Sequence, residues 1–374
     1  MRFFFWVCII LTLGCYKKNE ELEAIPIEKI VFKTTLKNHT PGVDYIISSS
    51  LEISKELIIE EGVEIAISPG CEIKVHDSGV IRAIGSENKP VVIKNRDASG
   101  RWKGIIVFSN MDNILKHVEI RSGGSDGNNH AAVEAKPGSR LVLENCKVED
   151  HGESSGVLIA RYATCSLVNC EITKNNYPIQ MDLHAVLNAS GCKMMDNGHQ
   201  AIKIQNQDGS MLMTEMNLTL NHPGLPYYFP SWLIINRNKL TVNSGVTLLF
   251  EAGTGISSSN AQPDMYGGLL VNGTAGSPVT FGSVSTEENN KWAGINLTAG
   301  YNKIQYGIFN ACNSNNFERA VLNVSNYASL DCKNSTFKSP KPYCNISLIG
   351  TKVVFNADIG SKNTFANGIK PCVL

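Results

Sequence analysis

Between Leu141 and Leu218 the chain repeats itself in two registers at once, and no other feature restricts its fold so tightly. Asn145-Cys146-Lys147-Val148, Asn169-Cys170-Glu171-Ile172, Gly191-Cys192-Lys193-Met194 and Glu215-Met216-Asn217-Leu218 superimpose, with steps of 24, 22 and 24 residues from Cys146 to Met216. Five residues beyond each anchor stand His151, Asn175, Asn197 and Asn221. A second segment keeps nearly the same step through Ala132-Val133-Glu134-Ala135, Gly156-Val157-Leu158-Ile159, Pro178-Ile179-Gln180-Met181 and Ala201-Ile202-Lys203-Ile204. Two segments recurring together mark a repeat architecture.

Each repeat holds short β-branched runs of strand length, punctuated by Gly, Asn and Pro. One coil of three strands per repeat predicts an all-β solenoid. Chain direction recurs in every coil, so each strand pairs in parallel with its counterparts, about 4.8 Å apart. Cys, Val, Ile, Leu and Met then stack inward, while Asn and Gly serve bends of unusual backbone angle. The Leu-x-x-Leu-x-Leu pattern of leucine-rich repeats is absent, as is the hexapeptide rhythm of left-handed β-helices.

A longer echo overlies this period. Leu57-Ile58-Ile59-Glu60-Glu61-Gly62-Val63-Glu64-Ile65 returns as Leu240-Thr241-Val242-Asn243-Ser244-Gly245-Val246-Thr247-Leu248. In the same order Gly85 and Pro90 answer to Gly273 and Pro278, and Trp102-Lys103-Gly104-Ile105 to Trp292-Ala293-Gly294-Ile295. The segment from Leu115 to Ile120 answers to that from Ile304 to Phe309. Two related units are expected, 40–225 and 226–374, divided near the breaker cluster 221–226, with Trp232-Leu233-Ile234-Ile235 mirroring Tyr45-Ile46-Ile47. They either stack as one solenoid or sit apart. The end of a stack needs a cap, and 25–45 and the tail after Phe355 are the candidates.

A lead-in ending Leu-x-Val/Ile-x-x-Gly-Val, a Gly-x-x-x-x-Pro turn, Trp-x-Gly-Ile and a strand running into a Gly- or Asn-rich loop resemble the bacterial pectate-lyase-like lipoproteins, over about residues 44–312. The resemblance implies a right-handed parallel β-helix. It implies no particular reaction, because that scaffold carries lyases, hydrolases, epimerases and non-catalytic surface proteins alike.

Met1-Arg2 followed by the apolar run from Phe3 to Leu13 reads as an export signal, since a spanning helix needs about 20 apolar residues. Leu11-Thr12-Leu13-Gly14-Cys15 resembles a lipobox, with Thr12 where a leucine is usual. Cys15 is therefore expected to be the lipidated first residue of the mature chain, held at an outer membrane or cell surface. The signal would occupy 1–15, and 16–40 a tether and N-terminal cap. Lys plus Arg equals Asp plus Glu at 34 each, so no basic field recruits nucleic acid.

Cys146, Cys170 and Cys192 form a ladder that reads as compact core filler, with Cys332 expected in the same slot later. No Cys-x-x-Cys or paired Cys and His spacing supports zinc, so neither metal nor cofactor is expected. Cys344 and Cys372 are the expected disulfide. Trp102 and Trp292, alike in both copies, read as structural plugs rather than sugar-stacking platforms.

Candidate acid–base residues are Asp126, Asn128, Asn129 and His130 in one polar loop, with His151, Asp182, His184 and His199. The outward positions Glu134, Leu158, Gln180 and Lys203, flanked by Lys136, Ala160, Asp182 and Gln205, form a stripe of which Glu134, Gln180, Asp182, Lys203 and Gln205 are the expected ligand contacts. Acids in that stripe stand whole coils apart, while glycosidase carboxyls lie about 5–9.5 Å apart. Gly198-His199-Gln200 is only a fragment of a polygalacturonase series. A non-catalytic binder of glycan or protein is the first expectation, and a polysaccharide lyase or hydrolase the alternative.

Overall fold

The computed structural model describes residues 23–97, 100–124, 130–206, 209–258, 267–287, 290–310, 312, 320–338, 344–366, 368–369 and 371–373. Among these there is no helix, and every pairing between named strands is parallel. The fold is a parallel β-solenoid, as the repeat requires.

Burial alternates along the strands. In Lys239–Asn243, Leu240 and Val242 are buried while their neighbours reach solvent. The inward residues stack in register, as in Ile53 on Val75 and Ile159 on Met181, and form one apolar core from Ile30 to Ile359. Many bends between strands hold a residue of left-handed backbone. His117, Asn145, Asn169 and Gly191 share one bend in successive coils at φ 49°, 53°, 52° and 64°.

Among the described residues five sheets build the walls, and only one of them runs from the first coil to the last. Its 14 strands begin at Lys29–Ile30, pass through Ile179–Met181, Ile202–Ile204 and Tyr227–Phe229, and end at Thr364–Phe365. Two seven-stranded sheets flank it in the N-terminal part and end at Glu171–Thr173 and Val186–Ser190. Two others begin at Leu212–Met213 and Leu218–Leu220. The two sequence units therefore share one continuous sheet, and the walls change between Ser190 and Leu212, ahead of the 221–226 cluster. Within the 16–40 stretch expected to hold the tether and cap, Ile25–Pro26, Lys29–Ile30 and Thr34–Leu36 pair with the strands of the next coil. Runs of two or three residues are too short to show a period of two.

The two copies are out of phase by one strand. Glu64–Ile67 lies in a flanking sheet, whereas its echo Thr247–Phe250 lies in the long sheet. Gly104–Val107 is in the long sheet, and its echo Gly294–Leu297 is not. The counterpart of Tyr45–Ile47 is thus Tyr227–Phe229, rather than the expected segment at Trp232, whose strand Leu233–Ile235 answers to Leu51–Ile53. Trp102 and Trp292 are fully buried and donate from Nε1 to Arg121 O at 2.9 Å and Asn310 O at 3.2 Å.

The C-terminal half packs on aromatic rings. Phe281, Phe309, Phe337 and Phe365 are register neighbours with centroids 4.9, 4.6 and 5.3 Å apart. Each buried ring removes roughly 1.5–3 kcal/mol worth of apolar surface from water, and an aromatic pair adds about 0.5–1.5 kcal/mol. Cys344 and Cys372 are joined in a disulfide. Cys146 and Cys170 are buried in the ladder and Cys192 is partly exposed. Cys332 does not share their slot. It pairs with Ile304, the echo of Leu115, and so stands where Leu143 stands in the first copy, while Ser335 follows the bend as Cys146 does.

Candidate functional site

The expected stripe exists as a ladder. Glu134, Leu158, Gln180 and Lys203 are successive partners on the outer side of the long sheet. Its first part is not a free surface, however. Glu134 is 0% exposed, Gln180 2% and Asp182 3%, and Ala131, Leu158 and Ala160 make a small apolar cluster separate from the main core. Only Lys203 and Gln205 of the five expected contacts reach solvent.

The acid–base candidates do not converge. Glu134 accepts from Ala131 N–H at 3.2 Å and pairs with Lys136 Nζ at 2.6 Å, with His130 Nδ1 3.4 Å away. Asp182 Oδ1 accepts from the backbone N–H of His184 at 2.8 Å. His184 Nε2 accepts from Glu215 N–H at 3.1 Å, which places the imidazole proton on Nδ1, facing Asp182 at 3.4 Å. His151 is fully buried, and desolvation pushes its pKa down to about 4. It accepts from Gly123 N–H at Nδ1 and faces Ile120 O from Nε2. Each of these groups braces a bend. His199 is exposed and bonded to no acid. Asp126, Asn128 and Asn129 lie outside the described residues.

Beyond Lys203 the ladder continues into residues that the sequence reading passed over. Tyr228 is the next rung, and its hydroxyl donates to Glu251 Oε2 at 2.7 Å. Tyr177 lies parallel to Tyr228 at 6.2 Å and to His199 at 4.3 Å, and Lys203 Nζ stands 5.4 Å from its ring centre. Burial lowers the Lys203 pKa, and burial followed by the Glu251 carboxylate raises that of Tyr228. The result is a cluster in which Tyr177 is buried beneath the exposed His199, while Lys203, Tyr228 and Glu251 are partly exposed beside it and carry one cation and one anion. Carrying the coil alignment one step past Ile204 through the breaker cluster would have reached Tyr228.

The model for the right-handed β-helix region matches residues 78–267, just over half of the chain, and spans both the stripe and this cluster. The chain belongs to the right-handed β-helix family. Over 168 residues it is 27% identical to a phosphoenolpyruvate carboxylase of Picrophilus torridus, covering 43% of this chain. The chain spans about 29% of the length of that curated relative. No solved structure matches.

Grooves also lie elsewhere on the β-helix. One of about 380 Å³ runs along the bends at His117, Asn145 and Asn169, between Glu87, Glu119, Lys147 and Glu171. Another, of about 190 Å³, lies between the strand Val186–Ser190 and the 221–223 turn. Near the change of sheets, Arg161 pairs with Glu215, whose Oε2 also accepts from Tyr162 Oη at 3.2 Å. This cluster ties the 161–162 bend to the coil in which the second pair of flanking sheets begins. Among the described residues no group of three or more His, Cys, Asp or Glu is placed to hold a metal ion.

Proposed function

We propose that this β-helical protein is exported, anchored by lipid on Cys15, and binds a glycan without cleaving it, through Tyr177, His199, Lys203, Tyr228 and Glu251. The anchor rests on the apolar N-terminal run and the Leu-Thr-Leu-Gly-Cys ending. The binding reading rests on one observation above all: Lys203 and Tyr228 are consecutive rungs of an outer ladder, set beside the parallel rings of Tyr177 and His199. Flat rings suit the apolar faces of sugars, and Lys203 and Glu251 offer charged hydrogen-bond partners to hydroxyls or a carboxylate. That Glu134, Asp182, His151 and His184 are each engaged in local bonds supports binding over catalysis. The carboxylase name belongs to a protein of which this chain spans under a third, and it lends this reading no activity.

The test is a glycan array followed by titration of the purified protein. A retained glycan whose affinity falls about tenfold or more on Tyr228→Ala or Lys203→Ala supports the reading. Release of reducing ends or unsaturated sugar, abolished by Asp182→Ala, establishes the enzyme instead. Failure of Cys15→Ala to release the protein from membranes removes the anchor.

A further inference from the structure

Cys146, Cys170 and Cys192 occupy one slot in three successive coils, each just past a left-handed bend at Asn145, Asn169 and Gly191. The pairing of Lys147 with Glu171, and the isolated bridge of Glu171 with Lys193, make them register neighbours. Parallel neighbours stand about 4.8 Å apart, inside the 4.4–6.8 Å that a disulfide spans between Cα atoms. All three are free thiols, and each Sγ donates to a backbone carbonyl: Cys146 to Leu115 O at 3.1 Å, Cys170 to Leu143 O at 3.4 Å and Cys192 to Ser190 O at 3.5 Å. Cys146 is 2% exposed and Cys170 1%, whereas Cys192 reaches solvent in part. The position matters as much as the spacing. The flanking sheet ends at Glu171–Thr173, and above it the ladder continues through the isolated bridge to Lys193 and a few backbone hydrogen bonds, such as Lys174 N–H to Asp196 O at 3.0 Å.

We propose that Cys170 and Cys192 are an oxidisable pair that staples the coil where this sheet ends, with Cys192 as the point of entry. The oxidant is a small disulfide. The Cys192 thiolate attacks one of its sulfurs, forming a mixed disulfide and releasing one thiolate. Cys170 then loses its proton and attacks the Cys192 sulfur, expelling the second thiolate. Two protein thiols are oxidised, one disulfide is reduced to two thiols, and both protons pass to the leaving groups. Cys170 is shared between two neighbours, so closure on Cys192 leaves Cys146 reduced. The neighbouring Cys146 thiol and burial hold the Cys170 thiol up at about 12, and the Cys170 thiol and burial push that of Cys192 up further still, so both attack and closure are slow at neutral pH and quicken as pH rises. The chain already joins distant residues in this way at Cys344 and Cys372, which are 28 residues apart.

The purified full chain is incubated with oxidised glutathione, alkylated, digested and mapped by mass spectrometry. The expected product is a Cys170–Cys192 cross-linked peptide, two hydrogens lighter than the paired thiols, with Cys146 alkylated. Oxidation then raises the melting temperature by several degrees, and Cys192→Ser abolishes both effects while leaving Cys146 and Cys170 alkylated after denaturation. Full alkylation of all three thiols, a persistent glutathione adduct on Cys192, or a Cys146–Cys170 link forming at the wild-type rate in Cys192→Ser overturns the proposal.

Discussion

His151 and Asn197, two coils apart, make the same bonds with different side chains. His151 Nε2 faces Ile120 O at 3.2 Å and its Nδ1 accepts from Gly123 N–H at 2.8 Å. Asn197 Nδ2 donates to Ile172 O at 2.9 Å and its Oδ1 accepts from Asn175 N–H at 3.1 Å. The imidazole does the work of an amide, with its proton fixed on Nε2.

That equivalence predicts a pH dependence. The folded pKa, about 4, lies below the ordinary 6.5, so as pH falls the unfolded chain takes up the proton first. Stability from this group is complete above about pH 6.5 and is lost as pH falls from there towards 4, by about 3 kcal/mol in all. His151→Asn keeps both bonds and removes the titration. Urea midpoints at pH 7.5 and 4.5 are expected to differ less in the variant than in the parent, and equal differences refute the assignment.

The phenylalanine ladder predicts a graded loss. Phe309 stacks on Phe281 and on Phe337. Phe309→Ala is expected to cost about 3–5 kcal/mol and Phe309→Leu distinctly less, read from denaturant midpoints.

Gly104 and Gly294 follow the tryptophans at φ 134° and 93°, and a Cβ would lie 2.5 Å from Ala131 O and 2.6 Å from Val321 O. Alanine at either site is therefore expected to lower stability by about 2 kcal/mol or more. Gly70→Ala is the comparison, since φ is 76° there but the space is open, and a smaller loss is expected. Equal losses at all three sites rule out the backbone contact as the cause.

The Cys344–Cys372 disulfide closes a separation of 28 residues. Its reduction is expected to cost about 2–4 kcal/mol. A reductant should lower the melting temperature of the parent but leave that of the Cys344→Ser, Cys372→Ser double variant unmoved.

The parallel coils were legible because inward residues recur at a near-constant step. The phase slip was not, since sequence echo says which segments correspond, not which ones stack. Phe281, Phe309, Phe337 and Phe365 are spaced by 28 residues, a signal present in the sequence but outside the 22–24 step of the middle coils. The stripe of Glu134, Gln180 and Lys203 was placed on the correct ladder, because the pleat decides from which side of a sheet each side chain departs. Its burial was hidden, because the pleat does not say what lies over it. His151 sat in line with Asn175 and Asn197, yet its residue type suggested proton transfer rather than bracing.

Along most of the molecule three ladders share any load applied end to end. Between Ser190 and Leu212 only the run from Ile179–Met181 through Ile202–Ile204 to Tyr227–Phe229 is continuous. A rod pulled from its two ends therefore carries its tension there through one sheet, helped by the Glu171–Lys193 bridge, a few backbone hydrogen bonds and the Arg161–Glu215 cluster, and that stretch is where it is expected to part first.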